Sequence, residues 1–598
     1  MCAHHEQSEN LEKLRHTLAH LLASAVLDKY PDAKLTLGPA VDNGFYYDID
    51  FASSVGASGE GGERIKISDA DLKGFQKTMR KKLSSWKEFS HKKVSADEAR
   101  EIYSNNLYKT ELINEIESKG EEITLYTVGD FTDLCRGGHV DFPANDIDPR
   151  SFELSHVAGA YWRGDEKNPM LTRIYGLAFE SPEKLAEYKE MLAEAKKRDH
   201  RKIGKELDLF TFSDLVGAGL PLFTPRGTLL RELIVQKIHD IQKQFGYQRV
   251  TIPHITKKEL YETSGHWEKF GDELFHVHGK SDAEFVMKPM NCPHHTQIYA
   301  SQARSYRDLP IRYTESTMVY RDEQAGELLG LGRVRSITQD DGHVFCTPDQ
   351  IESEIGNIVH VIREFYTSLD MWDDKTYWVS LSVRDPATPE KYLGDTDVWD
   401  RAEKTLEDVA KKFDLNYKRV EGEAAFYGPK LDFMFHDAIG RERQLATAQL
   451  DFNMPKRFEL EYTDSDSTKQ TPVMIHRAIA GSLERFLSII IEHFAGNFPV
   501  WMSPVQVIVV PVNPEAHGKY STHVYEQLEK AGIRAEHSDE NESLGKRIRK
   551  AKQFKTPYIV VVGDKESDDN TLTIEMRGDE KLEGVTVQNL IDRINGEN

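Results

Sequence analysis

Tyr320-Arg321-Asp322-Glu323, then Arg333-Val334-Arg335, then Gln339-Asp340-Asp341-Gly342-His343, all within Ile311–Phe345, form the stretch on which the reading of this chain turns. Isolated arginines interleaved with carboxylates suit a nucleoside triphosphate. Guanidinium groups grip phosphate oxygens, and an acceptor can take the adenine amino group. Arg321, Glu323 and Arg333 belong to this set, and Arg485 joins it from a predicted helix over Gly481–Leu487. Taken singly, each arginine reads as an ordinary surface or structural residue; their order and context make them a set. No phosphate loop competes with it. Gly279-Lys280-Ser281 has Leu274 where that motif requires glycine. CxxC, HExxH and GxSxG are also absent, which removes zinc ribbons, zincins and the usual serine hydrolases.

The surrounding chain has 598 residues, 39% hydrophobic and 29% charged, a composition of soluble globular domains. At ~150 residues per domain it has room for two to four. Apolar runs such as Val505–Val512 fall far short of the ~20 residues of a spanning helix. Met1–Gln7 has neither a basic nor an apolar signal region, so no membrane and a cytoplasmic location are expected. A net charge of −22 argues against wholesale DNA binding but leaves room for local basic patches. Cys2, Cys135, Cys292 and Cys346 are too few for a disulfide framework and suit a reducing compartment.

Three parts are expected. Residues 1–180 form an α+β domain, 206–502 a large middle domain and 503–598 an α/β domain of alternating strands and helices. A charged helical linker, 181–205, follows the first. Ala52–Gly62, rich in Gly and Ser, reads as a surface loop. Strands are predicted at Tyr247–Pro253, Val505–Val512 and Tyr558–Val562, and helices at Tyr520–Ala531 and Ser543–Phe554.

Leu11–Lys29 has helical periodicity, with Leu11, Leu14, Leu18, Leu22 and Ala25 on one stripe. His16 and His20, four apart, share a face roughly opposite it and point to a cleft or to solvent. Far downstream, Asp133-Leu134-Cys135-Arg136-Gly137-Gly138-His139 adds a thiol and a third imidazole. Such a set could bind zinc tetrahedrally, serve as an acid–base cleft, or consist of structural histidines.

His16-Thr17-Leu18-Ala19-His20, Gly44-Phe45-Tyr46-Tyr47-Asp48 and Cys135-Arg136-Gly137-Gly138-His139 together resemble the second-site editing domain of threonyl-tRNA synthetases. In that family the cleft hydrolyses Ser wrongly attached to tRNA(Thr), without bound zinc. The resemblance implies that His16, His20, Cys135, His139, Lys109 and Asp133 line it. The middle segments resemble the three motifs of class II aminoacyl-tRNA synthetases, built on an antiparallel sheet, and no HIGH or KMSKS signature of the other class is present. By this resemblance Pro253 marks a dimer interface, so a homodimer is expected. Arg321 holds the ATP α-phosphate, Glu323 reads adenine, and Arg333 and Arg485 hold the outer phosphates beside Mg²⁺. Composition alone would make His294, His295 and Cys346 as plausible zinc ligands as any. The family picks out Cys292, His343 and His476, for one Zn²⁺ per subunit, a three-ligand set with an open position. It also implies Asp341 and Tyr427 near the substrate amine, Lys430 near the carboxylate, Gln339 and Gln449 at the adenylate, and His266 in transfer to tRNA.

The implied chemistry is coherent. An apolar pocket separates the isosteres Thr and Val by only about 10². A metal that takes amine and hydroxyl together rejects Val but not Ser, so a hydrolytic second site follows. Asn541-Glu542-Ser543 and the basic run to Lys552 resemble an anticodon-binding domain, with Asn541, Arg549 and Glu566 on base-reading positions. Arg577 does not align with the family's basic stretch. The small β-rich domain that precedes the editing domain in many bacterial members is expected to be absent. The expected partners are thus ATP, L-threonine and tRNA(Thr). Two competing readings are a silent synthetase-like RNA-binding regulator and another class II synthetase. The arginines with the zinc triad argue against the first, and the triad with the N-terminal cleft against the second.

Overall fold

The computed structural model describes residues 2–51, 65–280, 283–373, 375–578 and 580–597. The Gly/Ser-rich stretch Ala52–Gly62 lies outside them. Backbone contacts divide the chain into two compact units, Met1–Ala193 and Glu194–Asn598. Among the described residues no helix is long and apolar enough to cross a membrane.

In the first unit, helix α1 (Cys2–Lys29) crosses an antiparallel sheet. That sheet contains β1 (Gly44–Asp50), β4 (Phe152–Tyr161) and β5 (Met170–Ala178), in the order β1-β5-β4. A second sheet of three strands pairs β2 (Ile123–Val128) with β3 (Phe131–Leu134). Helix α2 (Leu107–Ser118) precedes them, its N-terminus capped by the Asn106 side chain. The single apolar stripe expected on α1 is too narrow. Every residue from Thr17 to Val26 is buried, because Leu18, Leu22 and their neighbours join Phe45, Ile49, Phe75 and Phe152 in one core. A helix covered on all sides must satisfy its polar side chains inside the protein. His20 is therefore only 4% exposed and faces an interior cleft rather than solvent.

The second unit is built on eight strands. These are β6 (Gln248–Arg249), β7 (Ile311–Tyr320), β8 (Ser336–Cys346), β9 (Tyr377–Val383), β10 (Tyr417–Glu421), β11 (Lys430–His436), β12 (Glu442–Asp451) and β13 (Val473–Ala478). Their order is β6-β7-β8-β13-β12-β11-β9-β10. All neighbours are antiparallel except the outermost pair at each edge. The strand expected over Tyr247–Pro253 is shorter, because beyond Val250 the pairing leaves the backbone: the Ile252 amide donates to the Glu315 carboxylate (3.1 Å). Between β11 and β12 the register shifts at Phe433/Met434, leaving Leu445 unpaired as a bulge. Helix α3 (Cys292–Ala300) lies before β7, and helix α4 (Leu483–His493) follows β13 with Ser482 as its cap.

One face of this sheet packs on an apolar core that includes Val344, Ile475, Leu431 and Phe433. That core holds a fully buried ion pair. Arg477 Nη1 donates to Asp340 Oδ1 (2.9 Å), and the other carboxylate oxygen accepts from the Ile479 and Ala480 amides. Arg477 lies over Gly342, where a Cβ would come within 2.5 Å of the guanidinium. Asp340→Ala strands a buried cation and is expected to cost about 3–5 kcal/mol, read as a lower urea midpoint. A loss below about 1 kcal/mol would show that the pair is not structural.

The C-terminal part has strands β14 (Val507–Pro511), β15 (Ala535–His537), β16 (Tyr558–Val562), β17 (Leu572–Met576) and β18 (Lys581–Val585) in the order β15-β14-β16-β17-β18. Helices α5 (Pro514–Lys530) and α6 (Leu544–Gln553) make the crossovers that keep the first three parallel. The strand predicted at Tyr558–Val562 has those bounds in the structure.

Candidate active sites

The cleft of the first unit is assembled by four elements. α1 brings His16 and His20 one above the other, with Nε2 atoms 3.2 Å apart. The loop after β3 returns Cys135 Sγ to 3.5 Å from His16 Nε2 and 3.4 Å from His139 Nε2. That return requires Gly137 and Gly138, both at positive φ (94° and 84°), and a Cβ on Gly137 would sit 2.5 Å from the Tyr126 hydroxyl. β3 supplies Asp133, 3.4 Å from His20 Nδ1 and 2.5 Å from Lys109 Nζ on α2. The Tyr47 hydroxyl of β1 donates to the same carboxylate (2.5 Å). His139 stacks on Phe89 at 4.1 Å. The cavity measures about 660 Å³. All six residues expected in this cleft meet there. Tyr47 is a further member: its stretch is part of the resemblance, but the sequence assigns it no role.

The electrostatics separate charge across this cluster. Burial opposes a charge on Cys135, but hydrogen bonds with His139, His16 and His20 outweigh it and hold the thiol down at about 3. Burial likewise opposes a charge on His20, yet its bonds to Asp133 and Cys135 lift it to about 9. Asp133, though buried, stays well below the usual carboxylate range because Lys109 and His20 face it. Between those two values the site holds a thiolate beside an imidazolium. Alkylation of Cys135 by iodoacetamide, taken as wild type minus Cys135→Ser, is therefore expected to be flat from about pH 5 to 8. An ordinary thiol of pKa about 8.5 would speed up about tenfold per unit there, and such a rise would refute the ion pair. The four donor atoms, within 4.8 Å of one another, would also admit a metal ion.

In the second unit, register does the assembly. His343 on β8 pairs with His476 on β13, His476 with Gln449 on β12, and Gln449 with Lys430 on β11. Directly opposed residues share a face, so residues distant in sequence form one polar row. Cys292, at the start of α3, completes a buried group with His343 and His476 whose donor atoms lie within 4.8 Å. His343 Nε2 is 3.1 Å from His476 Nδ1, and His476 Nε2 is 2.9 Å from Asp451 Oδ2. Burial pushes the Cys292 thiol well up and His343 well down, which disfavours the charged form of each, and it also raises the Asp341 carboxyl. A divalent cation would reverse that preference, which is what a soft, buried Cys–His–His set fits. The sequence alternatives separate from the group. Cys346 lies on the opposite face of β8 and His294 leaves both ring nitrogens without a hydrogen-bond partner, while His295 stands behind His343.

The neighbours are ordered. Asn291 donates to Asp341 (3.0 Å), and the Tyr427 hydroxyl donates to Gln449 (2.5 Å). Lys430 Nζ is 2.6 Å from Asp432, which also accepts from the Thr447 hydroxyl. His266 is buried, with Nε2 4.0 Å from Cys292 Sγ and Nδ1 2.8 Å from Ser264 Oγ; burial lowers it to about 4. It stands at the start of a short helix, His266–Phe270. Arg321 and Glu323 follow β7, and Arg333 reaches back to Glu323 (2.7 Å). Gln339 bridges to Ser482, which brings exposed Arg485 on the first turn of α4 beside β8.

In the C-terminal part Asn541 and Arg549 are exposed. Glu566 is engaged at both oxygens, by the Gly563 amide and the Thr573 hydroxyl. The basic run is less free than it reads: Arg547 turns inward to the Ser538 and Pro511 carbonyls, while Lys546 and Lys550 pair with Glu542 and Glu540. Arg577 is a clamp on the Phe498 carbonyl (2.7 Å).

Comparison with known proteins agrees with this layout. Residues 275–494 match the tRNA synthetase class II core domain (G, H, P, S and T), 506–597 an anticodon binding domain, and 123–175 the threonyl and alanyl tRNA synthetase second additional domain. The threonine–tRNA ligase of Flavobacterium johnsoniae is 46% identical over 97% of this chain and 87% of its own. That of Rubrobacter xylanophilus is 44% identical over 99% and 90%. Among solved structures, the RNA binding domain of threonyl-tRNA synthetase from Cryptosporidium parvum superposes with a TM-score of 0.63 at 33% identity, covering 67% of this chain and 98% of that one. By identity over nearly its whole length and by all three domain types, the chain belongs to the threonine–tRNA ligases, a family of class II aminoacyl-tRNA synthetases.

Proposed function

We propose that the second unit joins L-threonine to tRNA(Thr) through a threonyl-adenylate and that the first hydrolyses Ser-tRNA(Thr). The observation that carries this reading is the row His343–His476–Gln449–Lys430, closed by Cys292 and flanked by the arginines. The threonine carboxylate attacks the α-phosphorus of ATP and pyrophosphate leaves; a ribose hydroxyl of tRNA then attacks the carbonyl and AMP leaves. Arg321 and Lys430 neutralise the α-phosphate, Glu323 accepts from adenine, and Arg333 and Arg485 hold the outer phosphates, with Mg²⁺ accompanying ATP. In the free protein Arg333 pairs with Glu323 and Lys430 with Asp432, so substrates replace ion pairs already in position. Asp341 and Tyr427 orient the substrate amine, Gln339 and Gln449 the adenylate, and His266 assists transfer.

Cys292, His343 and His476 would hold zinc. Bound there, zinc supplies a Lewis acid for the substrate's amine and hydroxyl, which Val cannot match. Ser carries both groups, and its missing methyl is worth only about 10–200-fold. In the editing cleft, the Cys135 thiolate with its histidines activates water toward the seryl ester, and His20, held by Asp133, protonates the departing ribose oxygen. Asn541, Arg549 and Glu566 read the anticodon. A cytoplasmic homodimer joined near Pro253 completes the proposal.

Amino-acid-dependent ATP–pyrophosphate exchange over all twenty amino acids tests it. Strong exchange with Thr, weaker with Ser and none with Val is expected. No exchange with any amino acid, in zinc-replete protein, would point instead to a silent RNA-binding relative.

A further inference from the structure

Behind the Cys292–His343–His476 group lies a second buried polar layer that none of the roles above uses. His295, fully buried on α3, places its Nδ1 2.7 Å from His343 Nδ1. On the far side of its ring, Nε2 faces Glu315 Oε2 at 3.8 Å, and neither of these two atoms has another hydrogen-bond partner. Glu315 is held from behind, its Oε1 accepting from the Ile252 amide (3.1 Å). His476 has the equivalent support: its Nε2 lies 2.9 Å from Asp451, whose other oxygen accepts from the Asn453 and Met454 amides. The two remaining ring nitrogens, His343 Nε2 and His476 Nδ1, face each other at 3.1 Å.

A ring nitrogen that binds a metal carries no proton, so the other nitrogen carries it and needs an acceptor. Asp451 meets that need for His476. For His343 the atom in place is His295 Nδ1. We propose that His295, backed by Glu315, is a positioning residue for the metal. Its Nδ1 accepts a hydrogen bond from the His343 Nδ1–H, which fixes the tautomer that leaves Nε2 bare, and its own Nε2–H turns toward Glu315. His295 is not itself a ligand, because both of its nitrogens face other partners. The inference rests on reading Cys292, His343 and His476 as a zinc site.

The experiment measures zinc content and the rate of zinc release to a chelator in the full chain, for wild type, His295→Ala, His295→Asn and His295→Gln. Loss of such a support costs about 10–100-fold in metal affinity, so His295→Ala should release zinc faster by that factor. Asn sets an amide oxygen near the place of Nδ1 and should recover most of the retention. Gln reaches instead toward Nε2 and should not. That split between two polar variants of similar size is one that a merely space-filling role would not produce. Native release rates from both His295→Ala and His295→Gln would overturn the inference, as would equal rates for Asn and Gln. A wild-type protein that holds no zinc would overturn the zinc reading itself, and the inference with it.

Discussion

Cys292→Ser should lose threonine-dependent ATP–pyrophosphate exchange by about a thousandfold or more and should lose most of its zinc. A metal acting as a Lewis acid supplies several kcal/mol, and each ~1.4 kcal/mol is tenfold in rate. The change removes the only soft donor of the group and leaves a harder, less acidic hydroxyl with a shorter reach. It should not unfold the protein. Cys292 stands at the first turn of α3, where a hydroxyl is tolerated, and its packing partners Tyr299, Tyr313 and Phe345 are untouched. The measurement pairs exchange rate with metal content and a melting curve. Full exchange with Thr in a zinc-free variant would remove the metal from the reaction. Lost exchange with a lowered melting point would mean only that the site collapsed.

The combined change His16→Ala and His20→Ala should leave threonine activation within about twofold of wild type and reduce hydrolysis of Ser-tRNA(Thr) by about 10²–10⁴, the contribution of positioned acid–base groups. Without the two rings the Cys135 thiol keeps only His139 of the three histidines that hold it ionised, and His20 can no longer donate. The fold should survive, because Asp133 keeps Lys109 and the Tyr47 hydroxyl as partners. Activation should be spared because the residues proposed for it belong to the other compact unit. Charging of tRNA(Thr) with radiolabelled Ser, followed over time, reads both effects at once. Deacylation at the wild-type rate would sink the editing assignment, and equal loss of both activities would point to a global defect.

Some of this was legible in the chain. His16 and His20 share a face because helical spacing is local, and Cys135 with His139 is a local loop read in one glance. Alternation in the last hundred residues revealed the small α/β part for the same reason. The joining of Cys292, His343 and His476 was not legible from the residues alone, because it depends on which strands pair and in what register. Only the family resemblance suggested it. Asp451, Glu315 and His295 carry no periodic signal, since a carboxylate in a strand looks the same whether it backs a histidine or meets water. Tyr247–Pro253 was over-read as a strand because sequence does not tell that a side chain takes the Ile252 amide. The basic run near Lys546–Lys552 hid an inward arginine, which charge counting cannot distinguish from an outward one.

The bulge at Leu445 has a consequence for tolerance to insertions and deletions. A strand alternates strictly, so one residue more or less turns every later side chain over. Leu445 and Ala446 are buried in succession, the point in β12 where that alternation is broken. Deleting Leu445 removes no polar group of the site. It joins Gln444 to Ala446, which already pair with Met434 and Phe433 on opposite faces, so the alternation on both sides is kept. Deleting Ala448 instead would turn over either the stretch before it or Gln449 and Asp451, and in the second case those two would face the apolar core. The connection Asp437–Arg441 between β11 and β12 imposes no such parity. Changes of length in that turn therefore keep the phase of β12, whereas a single-residue gap inside β12 keeps it only at Leu445 or when a second gap restores it.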